Sequence, residues 1–324
     1  MSDSGKHILV TGATGFVGAH IVNELLSRGH KVRGVARSKA KAEQMIQDRP
    51  QYAGSLEFVY INDLATAGVF DDAVKGVDGV IHVASPVPGP DAKDLEKEII
   101  LPAVNGAKSM LEAAKKEPKV KRIVFTSSMA AVMLPDRGKN SNFLVAYQAS
   151  KTFAEKAAWD VIKNDKPHYD LVTFCFPFVF GPLVHPVTKT DDINVSNKGI
   201  WAVASRANPL PVCPSPTWID VRDLAYAHVE ALFRPEVSNR RFLICAPGKI
   251  TYQMVADILR EAFDWAKGLV TRGDPGAAPP ETCEMDWETA AKALGIKFRG
   301  FKECILETVT QFKKIYEQEL VTGA

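Results

Sequence analysis

Ile8-Leu9-Val10-Thr11-Gly12-Ala13-Thr14-Gly15-Phe16-Val17-Gly18 is the stretch that decides the fold. Three apolar β-formers predict a short buried strand. Glycines follow at 12, 15 and 18, and Val17, Ile21, Val22, Leu25 and Leu26 then recur at helical spacing up to Arg28-Gly29. The order is strand, glycine turn, helix. Gly12 permits the sharp turn, Gly15 lets a phosphate approach the backbone, and Gly18 lets the helix pack close to the strand. The N–H groups at the helix start favour an anionic pyrophosphate, with Thr14 among the turn residues expected to bind it. The spacing is G-x-x-G-x-x-G, not the G-x-G-x-x-G of the dehydrogenase fingerprint.

Outward from this turn, β-rich runs alternate with helical patterns. Strands are expected at 31–37, 56–60, 79–84, 122–126 and 171–176, with helices around 41–47, 67–75, 94–115 and 146–163. Such alternation predicts an α/β fold, a doubly wound parallel sheet with helices on both faces. Ligands of these sheets bind at the carboxyl ends of the strands. After residue 176 the pattern changes. Prolines crowd 177–216 around one helical stretch at 197–206. A helix over 221–233 and a strand over 241–245 follow, then helical patterns at 251–264, 286–294 and 302–317. The expected organisation is a nucleotide-binding domain of 1–176 and 217–246, with a smaller, discontinuous substrate lobe of 177–216 and 247–324.

The 324 residues are 46% hydrophobic and 24% charged, ordinary for a globular protein. A net charge of +2 without a dense Lys/Arg run argues against a nucleic-acid partner. The polar start leads straight into the first strand and no apolar run reaches bilayer length, so neither a signal peptide nor a membrane partner is expected. Five scattered cysteines without C-x-x-C read as reduced thiols in the cytoplasm, and the seven histidines show no metal-ligand spacing. No metal is expected.

Arg37 closes the second strand, where an adenosine ribose lies in folds of this kind. NAD sites usually place an acid there, but this chain offers Arg37, Ser38, Lys39 and Lys41, with no acid until Glu43. Cations suit a 2′-phosphate, so NADP(H) is the expected cofactor. Tyr147 and Lys151 stand four apart in a helical stretch and share a face. An ammonium about 4 Å from a phenolate stabilises it by roughly 1 to 4 kcal/mol, which brings a phenol towards useful acidity. The same lysine can hold a ribose. Alone, Y-x-x-x-K is a weak signal; after a nucleotide-binding turn and a fifth strand it is strong. Thr126-Ser127-Ser128 closes that strand, and a hydroxyl there can hydrogen-bond a carbonyl oxygen as it gains charge.

Together these motifs resemble the extended short-chain dehydrogenase/reductase superfamily over nearly the whole chain. Thr-Gly-Ala-Thr-Gly-Phe-Val-Gly, Val-Arg-Gly-Val-Ala-Arg, Phe-Thr-Ser-Ser, Tyr-Gln-Ala-Ser-Lys-Thr-x-Ala-Glu and Trp-Ile-Asp-Val-Arg-Asp-Leu-Ala look like its dihydroflavonol-4-reductase-like branch, nearest to fungal NADPH-dependent methylglyoxal and aldehyde/ketone reductases. The resemblance implies a Rossmann-type domain and a Ser128, Tyr147, Lys151 triad. It also implies a cofactor site lined by Gly12, Phe16, Val17, Arg37, Lys41, Asp63, Leu64, Ala84, Ser85, Thr126, Pro177 and Val179, and Val83 and Ser127 are expected to bind the cofactor with them. Asp63 and Leu64 would meet the adenine and the Pro177 loop the nicotinamide. Ser128 and Tyr147 lie 19 positions apart, where that branch carries a longer, acidic, Trp-containing insertion. Ser85, Val87, Ser128, Phe143, Phe178 and Trp218 are the candidate substrate wall. The expected activity is hydride transfer from NADPH to a small or aromatic ketone or aldehyde by a monomer or homodimer. A nucleotide-sugar epimerase or dehydratase is the alternative, against which Arg37 speaks, and a non-catalytic NADP sensor is another, against which the intact Ser/Tyr/Lys set speaks.

Overall fold

The computed structural model describes residues 5–85, 93–133, 142–282 and 284–322. Nine strands form in chain order: β1 His7–Thr11, β2 Lys31–Ala36, β3 Leu56–Tyr60, β4 Gly79–His82, β5 Arg122–Thr126, β6 Asp170–Cys175, β7 Phe178–Phe180, β8 Trp218–Asp220 and β9 Arg240–Leu243. The helices are α1 Phe16–Ser27, α2 Lys39–Gln47, α3 Leu101–Lys115, α4 Asn142–Asp165, α5 Val195–Ala204, α6 Val221–Phe233, α7 Tyr252–Ala262, α8 Asp264–Leu269, α9 Glu288–Leu294 and α10 Phe301–Thr322.

Seven strands make one sheet in the order β3-β2-β1-β4-β5-β6-β9, every pair parallel. This is the doubly wound, Rossmann-like arrangement, and its order reverses between β1 and β4. A sheet covered on both faces requires nearly continuous apolar strands, and β1, β4 and β5 are buried along almost their whole length. Successive residues of β1 show the two faces. Leu9 joins a core with Met110 and Leu111 of α3 and Ala154 and Ala158 of α4. Ile8 points the other way: a Cβ on Gly79 would sit 3.6 Å from its Cδ1 and 3.1 Å from Leu232 of α6. Successive side chains thus fill separate layers on opposite faces of the sheet.

The chain divides into two compact units. One comprises Met1–Cys175 and Ala225–Leu243, the other Phe176–Leu224 and Ile244–Ala324. The second has its own core, built from Phe180, Ile200, Trp218, Val255, Leu259, Ile305 and Val309 among others. Here β8 pairs in parallel with β7 rather than with the seven-stranded sheet, and residues 176, 217–224 and 244–246 fall in the second unit, outside the boundaries the sequence suggests. Among the described residues no helix is long and apolar enough to cross a membrane.

Candidate active site

The turn after β1 owes its shape to glycine at two points. Gly12 adopts φ +66°, a conformation costly for other residues, and its carbonyl accepts from Gly15 N at 3.0 Å. A Cβ on Gly18 would lie 2.1 Å from that same carbonyl oxygen. The first turn of α1 therefore packs directly on the glycine turn. Gly15 is the N-cap, no side chain caps the helix, and its first turn has no acid. Thr14, Phe16 and Val17 beside it are half-buried. Such a start suits an anion.

Thr11 joins this turn to the end of β4. Its Oγ1 accepts from Val83 N at 3.1 Å and Ala84 N at 3.0 Å. The hydroxyl proton is then left for His82 Nδ1, 3.1 Å away, which fixes the imidazole with its own proton on Nε2. His82 is buried and stacks on Phe125 at 5.5 Å. Burial, with a smaller contribution from the charge of Lys151, pushes its pKa down to about 3, so the ring is neutral. Val83, Ala84 and Ser85 continue half-buried from this anchor, while Val87 lies outside the described residues.

At the end of β2, Ser38 caps α2 by accepting from Lys41 N at 3.3 Å. The side chains of Arg37 and Lys41 are exposed and make no hydrogen bond or ion pair among the described residues, whereas Lys39 approaches Glu43 at 3.7 Å. Asp63 turns its carboxylate onto its own loop, accepting from Ala65 N at 2.9 Å and Thr66 Oγ1 at 3.0 Å. Leu64 packs against the first unit's core.

The end of β5 separates three neighbouring hydroxyls. Thr126 Oγ1 is 2.9 Å from His228 Nε2. Ser127 is 1% exposed, and its Oγ donates to Glu155 Oε2 at 2.6 Å. Its side chain is thus directed into the interior, not towards a ligand as the sequence suggests. Ser128 is half-buried, and its Oγ accepts from Ala130 N at 3.1 Å, leaving its proton to be donated elsewhere. The short 129–131 helical turn that follows packs on α4. On α4, the Lys151 Nζ stands 5.9 Å from the centroid of the Tyr147 ring. Lys151 is only 8% exposed, yet it has no hydrogen bond or ion pair among the described residues. Phe143, on the same helix, is half-buried.

The other candidates belong to the second unit. Pro177 and Val179 are buried, Phe178 is half-buried against that unit's core, and Trp218 is 2% exposed, 4.9 Å from the Phe301 ring. Trp218 is a core residue; its depth excludes it from a surface wall. Sequence reasoning assigned no role to Thr11, His82 or Glu155. The sequence offers only a hydroxyl just before the glycine turn, a polar ring closing an apolar strand and a carboxylate four residues after Lys151, none of which identifies its partner.

Comparison with known proteins agrees with this geometry. Residues 8–245 match the model of the NAD dependent epimerase/dehydratase family, and the chain belongs to that family. It is similar to the ketoreductase AzaE of Aspergillus niger, 34% identical over 96% of this chain and 98% of that protein. It is equally similar to the NADPH-dependent methylglyoxal reductase Gre2 of Saccharomyces cerevisiae, 34% identical over 95% of this chain and 98% of the relative. The crystal structure of yeast methylglyoxal/isovaleraldehyde reductase Gre2 complexed with NADPH superposes with a TM-score of 0.87 at 32% identity, covering 95% of this chain and 98% of that one.

Proposed function

We propose that this protein is an NADPH-dependent carbonyl reductase that converts a ketone or aldehyde to an alcohol through Ser128, Tyr147 and Lys151. The observation that carries the reading is Lys151, a residue 8% exposed whose ammonium stands beside the Tyr147 ring with no hydrogen bond or ion pair among the described residues. The three ammonium hydrogens are thus open to acceptors, and ribose hydroxyls would supply them. The remaining contacts fit the same cofactor. The turn at Gly12 and Gly15 with the start of α1 takes a pyrophosphate, and the unengaged Arg37 and Lys41 suit a 2′-phosphate. NADPH, when bound, supplies the hydride for the carbonyl carbon.

The protein's own part is to orient the carbonyl and deliver a proton. Ser128 donates its hydroxyl proton in a hydrogen bond to the carbonyl oxygen, since the Ala130 N–H already occupies one of its lone pairs. Tyr147 donates its phenolic proton to that oxygen as negative charge develops there. The Lys151 charge beside the ring stabilises the phenolate left behind. Neutral His82, anchored by Thr11, adds no competing positive charge near Lys151. The substrate class is small or aromatic ketones and aldehydes, including α-dicarbonyls and β-keto esters, in keeping with the reductases it resembles.

Purified protein should oxidise NADPH in the presence of methylglyoxal, an aryl ketone or a β-keto ester, and NADH should serve far less well. Tyr147→Phe should lower kcat by roughly 100-fold or more while NADPH still binds. Wild-type turnover in that variant would remove the mechanism.

A further inference from the structure

Glu155 has no part in the mechanism above, yet it is the most heavily engaged buried carboxylate of the first unit. Its side chain is 4% exposed. It stands on α4 one turn beyond Lys151 and two beyond Tyr147. Four side chains from three strands or their ends converge on it. Ser127 Oγ donates to Oε2 at 2.6 Å, Thr173 Oγ1 of β6 donates to Oε1 at 3.0 Å, and Cys175 Sγ of β6 donates to Oε2 at 3.4 Å. Arg241 of β9 approaches with Nε at 2.7 Å from Oε1 and Nη2 at 3.1 Å from Oε2, a two-pronged contact.

These bonds are more than Glu155 needs to remain charged. Burial opposes its ionisation, but the hydrogen bonds from Arg241 and Ser127 outweigh that and hold its carboxyl below the usual range. Arg241 reaches solvent, with 44% of its side chain exposed, so the pair is only half withdrawn from water. Ser127, by contrast, is fixed twice. Its hydroxyl is on Glu155 and its N–H donates to Phe174 O at 2.9 Å. The next residue is Ser128, whose backbone is extended (φ −156°, ψ 155°) and whose direction follows from that of Ser127.

We infer that Glu155 is a positioning residue for the reductase site: through Ser127 it locks the helix bearing Tyr147 and Lys151 to the strand end bearing Ser128. One carboxylate thus sets the register between the hydroxyl that orients a carbonyl and the phenol that protonates it. Thr173, Cys175 and Arg241 hold that carboxylate at the sheet and touch neither reacting group. The inference rests on the proposed carbonyl-reductase reading, which deepens without altering its chemistry.

The test is a double-mutant cycle with Ser127→Ala, Glu155→Gln and the combined variant in the full chain. It uses steady-state NADPH oxidation with methylglyoxal, NADPH binding by fluorescence titration, and thermal melting. Wild-type turnover tests the reductase reading itself; its absence would sink that reading and this inference with it. With turnover in hand, Ser127→Ala should lower kcat by about tenfold, the order expected for misplacement of a fraction of an ångström. NADPH Kd should stay within about twofold, because the residues proposed to hold the cofactor are untouched. The combined variant should lose no more than the worse single one. A folded Ser127→Ala protein with wild-type kcat would overturn the inference even if Glu155→Gln does not fold. Losses that multiply in the combined variant would overturn it too, since the two residues would then act separately.

Discussion

At the scale of single residues, the cofactor reading depends on Arg37. Its guanidinium is exposed and has no partner among the described residues, so cofactor binding need not break an existing ion pair. A charge-assisted hydrogen bond to a phosphate contributes about 1.5 to 3 kcal/mol. Arg37→Ala should therefore raise KM for NADPH roughly tenfold or more, leave KM for NADH nearly unchanged, and alter kcat little, which parallel kinetics with both cofactors would reveal. Equal losses with both would show that Arg37 does not read the 2′-phosphate. Arg37 was legible in the sequence because a cation where an acid is usual is a local chemical fact. Glu155 and His82 were not. Their roles come from partners 18 to 86 positions away for Glu155 and 71 positions away for His82, and no local spacing encodes such pairings. Ser127 shows the same limit: three adjacent hydroxyls look alike in sequence, and only the pleat and the partners His228 and Glu155 bury Thr126 and Ser127 and leave Ser128 half-buried.

At the scale of elements, apolar periodicity located what is buried better than what is helical. The 67–75 stretch buries Phe70, Ala73 and Val74, as a helical pattern predicts, yet it winds as successive tight turns, with Asp71 N bonded to Gly68 O and Val77 N to Val74 O. Gly68 and Gly76, at φ +76° and +75°, interrupt the helical course on either side. Strands β7 and β8 escape notice because three residues carry no period, and the expected 251–264 helix breaks at Phe263, whose extended backbone opens α8. The glycine turn is the element where sequence and structure correspond most directly, and it separates two roles of glycine. Gly18→Ala drives a Cβ into the Gly12 carbonyl, a rigid backbone atom, and should destabilise the protein by about 1–3 kcal/mol or more. At Gly15, with φ −93° and ψ 175°, a Cβ would meet only the Gly12 oxygen at 3.3 Å. Gly15→Ala should keep a near-native denaturation midpoint but lose NADPH affinity, if a pyrophosphate approaches the backbone there. Urea melts and cofactor titrations of the two variants separate packing from binding; retained affinity in Gly15→Ala would move the phosphate elsewhere.

At the scale of the whole molecule, stability between pH 6.5 and 5 should report on His82. In the folded protein this ring stays neutral down to about pH 3, chiefly through burial and secondly through the Lys151 charge. In the unfolded chain it takes up a proton near the ordinary histidine value of about 6.5. Below that value the unfolded state binds more protons, so stability must fall as the pH falls. Above it the group contributes no slope. The decline is about 1.4 kcal/mol per pH unit, hence about 2 kcal/mol between pH 6.5 and 5. Glu155 acts in the same direction but later: its lowered carboxyl pKa gives stability that is present above about 4.5 and lost only on further acidification. The two groups therefore occupy different windows, but His7, whose pKa burial also lowers, acts in the same direction as His82, so the share of His82 is read from its variant. His82→Asn leaves an acceptor for the Thr11 hydroxyl and removes the titration. Its urea midpoint should be lower than wild type at pH 7.5, because the Phe125 stacking is lost, but should change less between pH 6.5 and 5. Parallel curves for the two proteins across that range would mean that His82 does not govern acid sensitivity, and that its ring can be protonated without opening the join between β1 and β4.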